Sequence, residues 1–141
     1  MNHVHSSLLG RFQPIPKTVL GRSRADEKAA KDNAEKAAER ACYRRVDRRD
    51  GLRCRVTGIQ LALGGSLVKA AQRHHLIPRS QGGQHETWNV VTVSKAIHDR
   101  IHVHGTMRIT GDADARDAEG RLCGLKVEEP INEVWTVTKW V

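Results

Sequence analysis

His74-His75-Leu76-Ile77-Pro78-Arg79-Ser80-Gln81-Gly82-Gly83 is the stretch on which the reading of this chain turns. A histidine doublet runs into a proline and a glycine pair, which punctuate the chain as a turn. Six residues on, Asn89 precedes Val90-Val91-Thr92-Val93, a β-branched run that predicts a strand. Ser94 is a good helix N-cap and Gly105 a good stop, so residues 94–104 predict a helix. On it Ile97 and Ile101 form an apolar ridge, and His98 and His102 form a neighbouring polar one. Histidines at i,i+4 share a helix face about one turn apart, a spacing that suits chelation of one divalent ion. Adjacent side chains on an extended segment point opposite ways, so one member of the doublet can meet a metal while the other meets a substrate.

Outward from this centre, residues 50–93 predict short strands and turns. Residues 106–141 read as β-rich, with residues 112–141 as a C-terminal extension; strands are predicted at Met107–Thr110, Arg121–Val127 and Val134–Val141, with a turn at Asp117-Ala118-Glu119-Gly120. Strict alternation puts Trp135, Val137 and Val141 on one face of the last strand and Trp140 on the other, and the tryptophans read as packing, with base stacking as the alternative. Residues 24–48, rich in Ala, Lys, Glu and Arg, predict a basic helix with Asp26 as its cap. Its alanine face predicts thin packing, and Arg44, Arg45, Arg48 and Arg49 form a cationic cluster suited to phosphates. Residues 1–23 read as a flexible arm in which His3 and His5 are incidental.

The whole chain has 141 residues and reads as one domain. With only five aromatic residues its core must be aliphatic. No apolar run nears the ~18 residues of a membrane helix, and no secretory signal is evident. Three scattered cysteines point to a reducing, cytoplasmic setting. Net charge is +8. Residues 1–58 carry 14 basic and 7 acidic side chains, whereas residues 112–141 carry 4 and 7, so an anionic partner should meet the first two thirds.

The joint pattern resembles the HNH endonuclease family. The likeness runs from Arg49-Asp50-Gly51-Leu52-Arg53-Cys54-Arg55-Val56-Thr57-Gly58 through the histidine doublet and Thr87-Trp88-Asn89 to Ile97-His98-Asp99-Arg100-Ile101-His102. It covers about residues 43–111, half the chain. The resemblance implies an α+β fold with a ββα-metal core over residues 49–111, one divalent metal, and hydrolysis of DNA phosphodiester bonds to 5′-phosphate and 3′-hydroxyl ends. His75 matches the general base, and His74 and His98 match metal ligands. His102 matches a residue that ligates metal in some relatives and contacts phosphate in others. Asn89 matches a residue that either ligates metal or holds the base loop by hydrogen bonds. A histidine titrates near neutral pH and suits a general base. His74 stands where many relatives have Asp, which favours Zn, Ni or Co over Mg, with Mn a further candidate.

Many relatives also hold a structural zinc with two CxxC pairs. Here Cys54 keeps one position, while Thr57, Ser94 and Ile97 occupy the others, so no structural zinc is expected. Packing by Trp88 and the Ile97–Ile101 ridge should hold the loops instead, with Cys54 as a small buried hydrophobe and Cys42 and Cys123 incidental or packed. Arg79 and Arg100 are candidate phosphate contacts, with Asp99 or Glu86 as alternative partners for Arg100. His85 reads as exposed, His104 as a complement to the helix dipole, and Asp99 as a solvated carboxylate. DNA is the expected partner, with RNA sharing the same phosphodiester, no membrane, and a homodimer or an assembly partner as further possibilities. Small free-standing proteins of this type resemble those of bacteriophages and mobile elements. The rival readings are a non-catalytic DNA-binding or assembly protein on the same scaffold, and a nuclease toxin, against which the lack of secretion modules argues.

Overall fold

The computed structural model describes residues 23–64 and 69–141. The arm predicted over residues 1–23, with His3 and His5, lies outside them except for Ser23. The fold is α+β. Helix α1 (Arg24–Asp50) is followed by strands β1 (Ala71–His75) and β2 (Val90–Ser94), helix α2 (Lys95–His102), and strands β3 (Arg108–Gly111), β4 (Leu125–Ile131) and β5 (Val134–Trp140). β1 and β2 form an antiparallel ribbon, and β3, β4 and β5 form a separate antiparallel meander. No helix of the described residues is long and apolar enough to cross a membrane.

The chain divides into two units at Ala34/Glu35, within α1. In the first, Ser23 rather than Asp26 caps the helix. The Asp26 amide donates to Ser23 Oγ at 3.2 Å, and the Ser23 amide and hydroxyl donate back to the Asp26 carboxylate at 3.1 and 2.8 Å. This reciprocal box satisfies two groups that the helix start leaves unpaired, and it places Asp26 two residues inside the helix. Every side chain from Ser23 to Ala34 is exposed.

The second unit, Glu35–Val141, holds all the other elements. The predicted alanine face is not what packs there. Cys42, Val46 and Asp50, at i, i+4 and i+8, form the buried stripe of α1, and Val90 packs on Cys42 and Val46. Gly51, with φ +59°, ends the helix in the left-handed conformation. β2 is buried along its whole length. Val91 and Val93 enter the main core with Cys54, Val56, Leu61, Ile97, Ile109, Leu125 and Val127, so the core is aliphatic as expected.

Asp50 is the polar hub that joins the end of α1 to the loops around β2. Its carboxylate is buried and accepts from Arg49 at 2.7 and 3.0 Å, from Arg55 at 3.2 Å and from the Thr92 amide at 2.9 Å. Arg49 also donates to the Thr87 carbonyl at 2.6 Å, the Val90 carbonyl at 2.7 Å and Asp114 at 2.7 Å. Its five donors are all used, so Arg49 is a structural clamp and has none left for a phosphate. Trp88, by contrast, is 39% exposed and does not hold the loops by burial. Cys54 is buried as expected, and so is Cys42, while Cys123 is exposed. Burial raises the Cys54 thiol, but hydrogen bonds from the Thr57 side chain and from the Thr57, Ser94 and Val56 backbone outweigh it and hold the thiol below its usual range.

The C-terminal strands shift from their expected bounds. β4 begins at Leu125 because Arg121–Gly124 belongs to the loop, where Arg116 and Leu122 make an isolated bridge around the Asp117 turn. A bulge lies where Val127 faces Lys139 but Glu128 faces Val137, leaving Thr138 as the extra residue. One extra residue reverses the alternation beyond it. Trp140 then faces Lys126 and Trp135 faces Pro130, so both tryptophans lie on the same face of the meander, opposite buried Leu125 and Val127. All of β5 is exposed.

Candidate active site

The β1–β2 ribbon positions the histidine doublet. His74 pairs with Val91 and His75 with Val90, and the two side chains leave opposite faces of β1. On one face stands α2. Its start is fixed by Ser94, whose hydroxyl accepts from the Ile97 amide, as the sequence predicts. Buried Ile97 seats the helix on the core, which turns His98 and His102 towards His74.

His74, His98 and His102 each offer a ring nitrogen, and the three nitrogens lie within 4.8 Å of one another. Among the described residues this is the one group of three or more His, Cys, Asp or Glu side chains so arranged. His74 Nδ1 and His102 Nε2 are 3.2 Å apart. Nitrogens about 2.0–2.1 Å from a shared tetrahedral ion stand at nearly that separation. Burial, and then the neighbouring imidazoles, push His74 down to about 4; burial and His102 lower His98. Both are therefore neutral at pH 7, the form that ligates a metal. An all-imidazole donor set fits a divalent ion of the zinc, nickel or cobalt type.

On the opposite face stands the C-terminal half of α1. Arg73 pairs with Asp47 at 2.5 Å, and His75 lies edge-on to Tyr43, with ring centroids 6.5 Å apart. His75 Nε2 meets His85 Nδ1 at 3.3 Å, and His85 Nε2 meets Arg79, which also pairs with Glu35. The Tyr43 hydroxyl donates to Glu39 at 3.0 Å; burial and this carboxylate push the tyrosine up to about 12. Burial, His85 and Arg79 lower His75, which is neutral at pH 7. Sequence reasoning left His85 exposed, whereas the structure makes it a half-buried partner of His75. The only signal for it was its place in the Gly83–Asn89 loop.

Asn89 is fully buried. Its Oδ1 accepts from the Ile77 amide at 2.7 Å, and its Nδ2 donates to the Ile77 and Gln84 carbonyls at 3.2 and 3.0 Å. Both ends of the amide are thus engaged by the loop after the doublet. Gly83 completes the clasp, since a Cβ there would lie 1.8 Å from the Ile77 carbonyl oxygen.

The remaining candidates are dispersed. Arg44, Arg45 and Arg48 are exposed along α1. Arg100 pairs with Glu129 at 3.0 Å, not with Asp99 or Glu86. Asp99 bonds Lys95 at 2.6 Å and orients no histidine, and His104 is exposed.

Comparison with known proteins adds no family: no family model, no curated protein and no solved structure matches the chain.

Proposed function

We propose that this protein is a metal-dependent endonuclease of the HNH type, hydrolysing DNA phosphodiester bonds to 5′-phosphate and 3′-hydroxyl ends. The observation that carries the reading is the convergence of His74, His98 and His102 within 4.8 Å at a ribbon–helix junction, next in sequence to a neutral His75. The order of an antiparallel ribbon then a helix agrees with the ββα-metal core that the HNH resemblance implies.

His74, His98 and His102 would hold one divalent ion, which supplies charge neutralisation at the scissile phosphate and the leaving 3′ oxygen. His75 takes the proton from the attacking water. Its contact with His85 sets the condition for this. Arg79 donates to His85 Nε2, which leaves His85 Nδ1 as the donor to His75 Nε2. His75 then carries its own proton on Nδ1. A phosphate that draws Arg79 away lets the tautomers exchange, and His75 Nδ1 becomes the free acceptor. Arg44, Arg45 and Arg48 are the exposed cations available to the DNA backbone, and such contacts carry little sequence information.

The test is relaxation of supercoiled plasmid by chelator-stripped protein, with Mg, Mn, Co, Ni and Zn returned singly and the product ends analysed. Metal-dependent nicking with 5′-phosphate ends supports the reading. DNA binding without cleavage in any metal favours a non-catalytic DNA-binding role.

A further inference from the structure

We infer that the outer face of the β3–β4–β5 meander is a binding platform for single-stranded nucleic acid. The bulge at Thr138 brings Trp135, Val137 and Trp140 onto one side of the exposed strand β5. The rings remain open, with Trp135 38% and Trp140 60% exposed. Each is flanked by a cation. The Arg108 guanidinium lies 4.5 Å from the Trp135 ring centroid, and the Lys126 ammonium lies 5.1 Å from that of Trp140. Beside these five residues the one acid, Glu128, is already paired, to Arg108 at 2.9 Å.

Aromatic rings alternating with cations on an open sheet match what unpaired bases and their phosphates require, since every base has a face to stack and every link a charge to meet. The two rings lie about four strand steps apart, or about 13 Å. That is several times the ~3.4 Å rise of stacked bases, so the geometry suits an extended single strand and not a duplex. A second copy of this chain is a poorer occupant, because a two-fold contact would bring the Lys126 charges of both copies onto one interface, Arg108 being held by Glu128. Of the acids of residues 112–141, Asp112, Asp114, Asp117 and Glu119 lie in the loop before β4, Glu129 points to Arg100, Glu133 lies in the β4–β5 turn, and Glu128 alone shares this face, where Arg108 holds it.

The experiment is anisotropy of a labelled single-stranded oligonucleotide and of its duplex, titrated with full-length protein in chelator. Binding is then read without cleavage, and its result stands apart from that of the histidine centre. Trp135→Ala/Trp140→Ala should weaken single-strand binding at least tenfold while changing duplex binding less than twofold. Trp135→Phe/Trp140→Phe should restore most of the affinity. Equal single-strand affinity in wild type and the Ala variant would overturn the inference. So would equal losses on single strand and duplex, or a wild-type dimer that the Ala variant converts to monomer.

Discussion

Asn89 makes three hydrogen bonds from one fully buried amide, and they tie Ile77 to Gln84 across the loop that carries Arg79. Removing the amide leaves the Ile77 and Gln84 backbone groups without these partners, at about 1–3 kcal/mol. Asn89→Ala should lower stability by that amount in urea unfolding and should reduce cleavage, while metal affinity measured by calorimetry stays within twofold. Gly83 serves the same clasp, and Gly83→Ala should move the loop because its Cβ would meet the Ile77 carbonyl. At this scale the sequence was largely legible. A doublet, a glycine pair and an asparagine before a strand are local signals, and the ribbon brings the end of the doublet beside Asn89. His85 was not legible, because nothing in its local pattern tells that the loop folds back over His75.

The elements show where local patterns stop. α2 was readable from Ser94 and the isoleucine ridge, since cap and period lie within one short segment. The faces of β5 were not, because the bulge depends on how β4 pairs with it, and one extra residue inverts strict alternation. The same limit applies to Arg49. In sequence it is one of four clustered arginines, yet it alone turns inward to Asp50 and Asp114. That network joins the end of α1 to β2 and to the Asp114 loop. Asp50→Ala strands two buried guanidinium groups and should cost about 3–5 kcal/mol, a loss readable as a lowered urea midpoint. A loss under 1 kcal/mol would show that the clamp is dispensable.

For the whole molecule, the histidine centre makes stability depend on pH before any metal binds. His74 titrates near 4 in the folded protein against 6.5 for an unperturbed histidine. Between these values the unfolded chain binds more protons, so stability rises with pH and falls as pH drops from 6.5 towards 4. The full shift is worth about 3 kcal/mol. His75 and His98 are lowered as well and act in the same sense. Urea midpoints of metal-free protein should therefore fall through this window, and His74→Gln should flatten the slope. A midpoint that does not change from pH 6.5 to 4.5 would contradict the buried, neutral state of His74. Cleavage should likewise have its acid limb below pH 6.5, where His75 gains its proton. The central claim, that His75 is the base beside a three-histidine metal site, is tested most directly by comparing wild type with His75→Ala in the best metal on supercoiled plasmid. The expected result is a rate about 10²–10⁴-fold lower with metal affinity within twofold. Equal cleavage by the two proteins would contradict it.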